Sequence, residues 1–343
     1  EFNKYIDLDE SYNGQFRFSS SGYQKNYDTN IYEAQVNNDF NFSSFNYFTD
    51  GGVLSNYSLS LKNFNTYSEN SSTFEENNDH ELFSLMSIGS ELPMKKKISD
   101  DVTSYLKPKI QLKFSPSNGK DISSSGNRLS YDNVFSLNRI GRGDMFEEGK
   151  SLTLGVEYER QNLLNDKVLG FNLGNVIKDK KNNSMPSHAK LDQTRSDIVG
   201  NFFYEPNDYL KLNYNFSYDR DLKFSNYDEI SAELGANKFV TTFNYTTENH
   251  EMGNSESISN DTIFKLDNEN SLKFNTTKNL KDDFTEHYNL SYEYETDCLF
   301  ATFQYHKKFF RDGNLVPDES LFFLIKFIPF TELRGSANTI FEK

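Results

Sequence analysis

The sequence lacks tryptophan, carries a single cysteine, and has no apolar run near the length of a membrane-spanning helix. A spanning helix needs about 20 consecutive, mostly apolar residues, so a helical membrane protein is excluded. One cysteine cannot build an internal disulfide framework. The formal net charge is −15 and no basic patch is visible. That balance argues against a nucleic-acid partner, because clusters of lysine and arginine bind phosphate backbones.

Motifs of catalysis and metal binding are also missing. The five histidines form no His-Glu-x-x-His pair and no ligand spacing with the cysteine; they are His80, His188, His250, His287 and His306. No Gly-x-Ser-x-Gly elbow and no phosphate loop is present, which removes the common hydrolase and nucleotide-binding signatures. Acidic pairs such as Glu75-Glu76 are typical of solvated loops. We therefore predict no enzymatic activity, no metal site and no cofactor.

What the chain does have is many aromatic residues in a polar sequence. It contains 32 phenylalanines and 21 tyrosines, yet its mean hydropathy is −0.75. A transmembrane β-barrel reconciles the two facts, because only every second strand residue faces lipid while the others face a wet lumen. A soluble β-sandwich or solenoid has the same alternation, and composition alone leaves that alternative open.

Alternating apolar and polar residues predict strands along most of the chain. The clearest alternation is at 209–219, and its apolar set is Leu210, Leu212, Tyr214, Phe216 and Tyr218. A period of two places one set of side chains on each face of a strand. We count about 15 or 16 such segments, each near the length that a tilted membrane strand needs. The pattern predicts an all-β, antiparallel, up-and-down transmembrane β-barrel of the outer-membrane type.

The lengths of the connections support this architecture. Short turns alternate with mostly longer connections: 205–208, 235–237, 267–270 and 296–298 against 220–224, 249–257, 280–285 and 311–319. Outer-membrane barrels have short periplasmic turns and longer external loops, whereas Greek-key connections cross over. Continuing the alternation backward places the glycine-containing loop at 115–150 outside the cell. We expect this loop to fold partly over the lumen, with a mobile loop as the alternative.

Two stretches are similar to a known family. The first is TEHYNLSYEYETDCLFATFQYHKKFFRDGNLVPDESLFFLIKFIPF at 285–330, with two alternating strands, an Asp297-Cys298 turn and an apolar last strand. The second is LSYDNVFSLNRIGRGDMFEEG at 129–149, followed by the strand SLTLGVEYE. In their order and spacing they resemble the C-terminal barrel of the LPS-assembly outer-membrane protein (LptD) family, over about residues 100–330.

This resemblance implies a location in the Gram-negative outer membrane and a part in delivering lipopolysaccharide (LPS) to the outer leaflet. Sugars would cross a polar lumen and acyl chains would leave through a lateral seam. The implied partners are LPS, an LptE-like plug lipoprotein, periplasmic LPS bridge proteins and outer-membrane lipid. Residues 1–330 are predicted to be the C-terminal part of the barrel and 331–343 a tail, with a signal peptide, an N-terminal domain and the first strands upstream. A porin or other channel, and a soluble or surface adhesin, are the alternatives.

Cys298 is predicted to lie at a periplasmic turn, in a compartment where disulfides form. The resemblance implies a disulfide there, because cysteines at this turn of the family bridge to the periplasmic N-terminal domain. Well-studied members carry two adjacent cysteines, and Asp297 takes the place of one, which leaves one bridge. A buried free thiol is the alternative.

Two further sets of residues are predicted to be functional. The lateral seam is expected along the last strand, where Pro329 donates no ladder bond; its candidates are Ser320, Phe322, Leu324, Lys326, Ile328 and Pro329. The candidates in the extracellular loop are Asn138, Arg139, Arg142 and Asp144. We expect both arginines to be available for phosphates or for acidic walls of the lumen.

Overall fold

The computed structural model describes most of the chain as β-structure. Described are residues 2–7, 13–27, 29–74, 76–117, 119–123, 128–162, 169–187, 190–249, 254–309, 318–328 and 331–338. The strands are β1 (Phe2–Asp7), β2 (Gly14–Tyr27), β3 (Ile31–Ser44), β4 (Tyr47–Phe48), β5 (Leu54–Glu69), β6 (Asn77–Glu91), β7 (Met94–Lys97), β8 (Val102–Ser115), β9 (Gly149–Asn162), β10 (Leu169–Lys178), β11 (Ile198–Asn207), β12 (Leu210–Tyr218), β13 (Ser225–Ala236), β14 (Phe239–Glu248), β15 (Ser255–Lys265), β16 (Asn270–Asn279), β17 (Phe284–Glu295), β18 (Leu299–Lys308), β19 (Asp318–Phe327) and β20 (Thr331–Asn338). One short helix, α1 (Tyr131–Val134), is present in the described residues. No helix in this part of the chain is long and apolar enough to cross a membrane.

Strands that follow each other in the chain pair antiparallel, as the hairpin pattern predicts. The strand registers run without a crossover from β13 through β20. Two short strands extend their predecessors: β4 continues the edge that β3 forms with β5, and β7 continues β6 along β8. Merging these two pairs leaves 18 long antiparallel strands in the described residues. The predicted all-β antiparallel class is confirmed, and the expected 15 or 16 strands is too low.

The extra strands lie where the alternation is weak. The segment at 331–338, assigned to a C-terminal tail in the sequence analysis, is strand β20, paired with β19 from Ser320 opposite Asn338 to Phe327 opposite Thr331. Its sequence, TELRGSAN, holds one large apolar residue, so it shows no apolar period. Strand β1, FNKYID, is only six residues long.

The alternation of connection lengths is confirmed. β11 and β12, β13 and β14, β15 and β16, and β17 and β18 are joined by tight turns, and the connections between these hairpins are mostly longer. Toward the N-terminus the rhythm is less regular, since the connection between β2 and β3 is only 28–30. There the longest connections are 116–148, here called loop A, and 179–197, here called loop B. In the order of the hairpins, β5, β8 and β10 run in the same direction. They are followed by the connection 70–76, loop A and loop B, respectively.

The chain divides into two compact units. Unit 1 comprises Glu1–Glu159, Phe171–Gly200 and Ser217–Phe224, and unit 2 comprises Arg160–Gly170, Asn201–Phe216 and Ser225–Lys343.

The strands of unit 1 expose apolar residues and bury polar ones. On β5, β6 and β8 the exposed set includes Leu59, Leu61, Leu82, Met86, Ile88, Ile110, Leu112 and Phe114. The buried set on the same strands includes Ser60, Lys62, Thr66, Ser87, Lys113 and Ser115. A soluble protein shows the opposite arrangement. The pattern is that of strands with one face toward lipid, here called the apolar face, and one face toward a polar interior, here called the polar face.

Unit 2 separates its side chains in the same way. Across β15 to β18 one set of facing positions is rich in aliphatic and aromatic residues, such as Phe274 opposite Leu290 and Tyr292 opposite Phe303. The other set is polar and hydrogen-bonded across the strands. Asn289 donates to Asn275 at 3.2 Å, and a ring nitrogen of His287 lies 2.7 Å from the same amide oxygen.

Strand β12 offers a test of the two faces. Leu212 belongs to its apolar set and Asn213 is exposed on the opposite face. Arginine near the middle of a lipid-facing strand costs about 2–4 kcal/mol, so Leu212→Arg is expected to lower the free energy of folding into bilayers by that amount. Asn213→Arg is the control and is expected to be nearly neutral. Equal losses in a urea titration of liposome-folded protein would contradict the assignment of this strand.

Candidate functional site

Loops A and B pack on the polar face of unit 1 as a protein core packs. One cluster joins Ile122, Ile140, Met145 and Phe146 of loop A and Met185 of loop B to Phe64, Phe83 and Leu85 of the strands. A second cluster joins Leu129, Val134 and Leu191 to Val176 and Val199. Ile122 also donates its N–H to the carbonyl of Ser184 at 2.8 Å, which ties the two loops together. The expected folding of loop A onto the interior is therefore seen as a packed layer in unit 1.

Two glycines let α1 approach the strands closely. A Cβ on Gly174 of β10 would lie 2.8 Å from the Val134 side chain. A Cβ on Gly155 of β9 would lie 2.6 Å from both the Phe135 ring and the Leu173 carbonyl. Real Cβ atoms do not come so close to their neighbours, so α1 occupies space that only glycine leaves free.

Charged groups are buried beneath this apolar layer. Arg139 of loop A is fully buried and forms an ion pair with Glu147. Its guanidinium also donates to Ser151 Oγ at 2.8 Å and to Thr153 Oγ1 at 3.1 Å on β9. Lys178 Nζ of β10 lies 2.6 Å from Glu147 Oε1. Glu147 therefore connects loop A with β10 and, through Arg139, with β9.

The buried cluster holds more positive than negative charge. Lys113 of β8 is also buried, and its ammonium donates to the loop A carbonyls of Ser136 and, at 3.4 Å, of Leu137. Burial would raise the pKa of the Glu147 carboxyl, but Arg139, Lys178 and Lys113 outweigh it and hold that pKa well below its usual range. Glu147 is therefore ionised at neutral pH and pairs with both Arg139 and Lys178.

The predicted loop residues have different roles from those expected. Arg139 is bound to Glu147, a residue of its own loop, so the expectation that it is available for phosphates or lumen walls is wrong. Arg142 is partly exposed and forms a bidentate pair with Asp144 at 2.9 and 2.7 Å. The amide of Asn138 donates to the Arg142 carbonyl. The partner of Arg139 could not be found from the sequence. Glu147 lies eight residues away in a loop, where no helix or strand period indicates which side chains meet.

A polar pocket on the same face was missed by the sequence analysis. It has a volume of about 210 Å³, and its wall includes Asn56, Glu91, Lys109, Gln111 and Phe135. Lys109 Nζ lies 4.7 Å from the centre of the Phe135 ring. Gln111 donates to the Phe135 carbonyl at 3.0 Å, and its Oε1 is buried without a hydrogen bond. Amides, charges and a ring face together suit a polar ligand such as a saccharide.

Cys298 and the predicted seam residues lie in unit 2. Cys298 is a free, exposed thiol in the tight turn between β17 and β18. The seam candidates from Ser320 to Lys326 belong to β19, which is paired with β18 on one edge and with β20 on the other. Ile328 follows the strand and donates its N–H to the Cys298 carbonyl at 2.9 Å. Pro329 lies outside the described residues.

The sequence analysis expected β19 to be the last strand, and this is wrong because β20 follows it. The candidates on β19 therefore do not lie at an unpaired edge. On β19, Ser320, Phe322 and Leu324 are opposite the polar residues His306, Gln304 and Thr302 of β18, and Lys326 is opposite Phe300. A lateral seam elsewhere stays a prediction.

Solved structures that resemble this chain have low sequence identity to it. The FrpB iron transporter from Neisseria meningitidis (F3-3 variant) is 10% identical, with 99% of this chain and 67% of that chain covered and a TM-score of 0.47. A mutant of the Rh. blastica porin is 10% identical, with 98% and 94% covered and a TM-score of 0.32. Similarity at this level carries no argument about function. A comparison with curated proteins found no match.

The family comparison is informative. The family model described as "LptD: LPS transport system D" matches residues 2–296. The match begins well before residue 100, where the resemblance noted in the sequence began, and it includes loop A with the stretch at 129–149. It ends before Cys298, so the similar C-terminal stretch from Leu299 onward lies outside it. Since the match spans most of the chain, this protein belongs to the LPS transport system D (LptD) family and is a transport component of the outer membrane that acts on LPS.

Proposed function

We propose that this chain forms part of the barrel wall through which LPS is delivered to the outer leaflet. The polar face would line the lumen that the LPS sugars cross, and the apolar face would contact membrane lipid. The observation that carries the proposal is the reversed burial in unit 1, where leucines and isoleucines are exposed and lysines are covered. The proposal assigns the chain a transport role without catalysis.

The polar pocket supports contact with sugars. Asn56, Glu91 and Gln111 present hydrogen-bonding groups around a small cavity on the polar face. Gln111 Oε1 has no protein donor, and a buried acceptor without a donor is costly unless a ligand or water satisfies it. A passing saccharide hydroxyl can supply that donor.

Crosslinking in cells tests the proposal. Asn56 replaced by p-benzoylphenylalanine is expected to form adducts with LPS on irradiation, because it faces the pocket. Leu106, exposed on β8 and paired with Met94 near a short turn, is the control and is expected to form no LPS adduct. If position 56 captures no LPS and the purified protein conducts ions steadily in planar bilayers, the chain is a channel and the proposal fails.

The proposed orientation places the connection 70–76 and loops A and B outside the cell. A membrane-impermeant maleimide is then expected to label Ser72→Cys on intact cells, in a Cys298→Ser background, because residue 72 is exposed. Asp208→Cys, in the tight turn between β11 and β12, is expected to react only after the outer membrane is opened. The reverse order of labelling would invert the topology.

The proposed partners are a plug lipoprotein and the periplasmic LPS bridge proteins, reached through an N-terminal domain. Cys298 is the candidate anchor to that domain, since it is exposed at a turn of the short-connection end. In the full-length protein, Cys298→Ser is expected to abolish a mobility difference between reduced and non-reduced gels and to weaken LPS export. Closing so long a loop is worth upwards of about 4 kcal/mol in the chain-entropy model. Normal export with a free thiol at 298 would exclude the anchor.

A further inference from the structure

The apolar face of unit 1 contains a groove of about 560 Å³. Its apolar wall consists of Met86, Ile88, Leu112, Phe114, Leu152 and Ile177. Three of these side chains are more than half exposed: Met86 at 52%, Ile88 at 56% and Leu112 at 52%. The groove reaches the ends of β8 and β10 and the start of β9, which is where loops A and B begin or end.

The groove opens away from the buried charges. Ser87, Lys113 and Lys178 also border it, but they are buried on the polar face beneath loop A. Side chains alternate between the faces of a strand, so these residues contribute backbone to the groove, and Met86, Ile88, Leu112 and Phe114 contribute side chains. The cavity therefore faces the lipid side and is separate from the polar pocket.

A lysine marks one end of the groove. Lys150 is exposed, and its Nζ lies 5.7 Å from the centre of the Phe114 ring. Among the described residues, no carboxylate forms an ion pair with Lys150. Asp179 also borders this end and donates its N–H to the Lys150 carbonyl at 3.3 Å. Lys180 and Lys181 follow Asp179 in the chain with exposed side chains, and Lys180 pairs with Glu148 at 3.5 Å. Three lysines against Asp179 and Glu148 leave one net positive charge at this end.

These features suit a lipid with an anionic headgroup. An empty groove in a bilayer loses dispersion contacts along its whole wall, so a hydrocarbon chain is the natural occupant. The volume of the groove is within the range of ligand-binding sites. The free ammonium at its end, beside an aromatic ring, can pair with a phosphate, and basic residues at a membrane surface select anionic headgroups.

We propose that this groove binds one acyl chain of an LPS molecule in the outer leaflet, with an LPS phosphate paired to Lys150. LPS is chosen over phospholipid because the groove lies at the long-connection end of the strands. The inference thus rests on the proposed orientation. It adds a binding site for delivered LPS on the outside of the wall, distinct from the path along the polar face.

Crosslinking of the full-length protein in outer membranes tests this site. Leu152 replaced by p-benzoylphenylalanine is expected to form LPS adducts, and the same replacement at Leu106 is not. In the Leu152 variant, Lys150→Glu is expected to lower the adduct yield about fivefold or more, the factor equivalent to the roughly 1 kcal/mol per basic residue near an anionic membrane surface. Lys96→Glu, an exposed lysine of β7, is the matched control and is expected to leave the yield unchanged.

Several outcomes would overturn the proposal. They are phospholipid adducts in place of LPS, equal LPS yields at 152 and 106, and no response to Lys150→Glu in protein whose heat-modifiable gel mobility shows a folded barrel. Failure here with LPS still captured at position 56 would reject only the groove. Inverted labelling of Ser72→Cys and Asp208→Cys would reject the orientation and the groove together.

Discussion

Replacing Glu147 by glutamine is expected to detach loop A from the strands of unit 1. The carboxylate is the partner of Arg139 and of Lys178, and all three side chains are buried. Without it, the Arg139 guanidinium and the Lys178 ammonium stay buried and lose their counterion. Breaking a buried pair in this way costs about 3–5 kcal/mol. The expected result is a loss of that size in the free energy of unfolding, with new protease cleavage inside loop A.

The neighbouring carboxylate provides the control. Glu148 is partly exposed and lies 3.5 Å from Lys180, which is 65% exposed. Surface pairs of this kind contribute about 0–1 kcal/mol, so Glu148→Gln is expected to leave loop A attached. Similar losses in both variants would show that Glu147 has no special part in holding the loop.

The same residue sets the pH dependence of the attachment. The pKa of Glu147 is lowered in the folded protein, so its contribution is fully present above the pKa of an unfolded glutamate, about 4.3. The contribution is lost as the pH falls from there toward the lowered value. Protection of loop A from protease is therefore expected to decrease as the pH falls through this range, and Glu147→Gln is expected to abolish this loss in acid.

Gly174→Leu is the second substitution with a large expected effect. A side chain at 174 would enter the space of Val134, whose atoms lie 2.8 Å from the position of a Cβ. Overpacking of a tight contact costs about 1–3 kcal/mol, so the substitution is expected to displace α1 and lower the midpoint of thermal unfolding. Calorimetry of the purified protein in detergent measures the shift.

A double-mutant cycle separates the clash from a general effect of the new side chain. Val134→Ala removes the atoms that meet position 174, so Gly174→Leu combined with Val134→Ala is expected to recover much of the loss. Gly143→Ala is the control in loop A, because nothing lies within 4 Å of a Cβ there. Absence of coupling between positions 134 and 174 would contradict the packing of α1 on β10.

The strands could be predicted from the sequence because their signal is local. Leu210, Leu212 and Tyr214 alternate with polar residues, and the paired sets of unit 2 repeat that period in the observed registers. The turns followed from the gaps between such runs. Strand β20 was missed because its own sequence has no alternation of apolar and polar residues. It is a strand through its pairing with β19.

The buried site could not be derived in the same way. Ile122 and Met145 of loop A have no common period, and their partners Phe64 and Phe83 are distant in the chain. A charge in a glycine-containing loop is normally solvated, so Arg139 and Glu147 gave no sign of burial. Only the resemblance of 129–149 to a known family indicated that this loop matters. The resemblance did not indicate which residues its side chains contact.

The packing of loop A also bears on how such proteins diverge. External loops usually vary most among relatives, because they pack against little and tolerate insertions. In loop A, however, side chains such as Leu129, Val134 and Met145 are as inaccessible as those of a globular interior. Selection by antibodies or phages acts on exposed groups, so in the proposed orientation a change at these buried positions would cost folding before it altered what the cell displays. Sequence drift is therefore expected to concentrate on the lipid-facing positions of the strands, where one aliphatic side chain replaces another at little cost, while the buried positions of loop A change slowly.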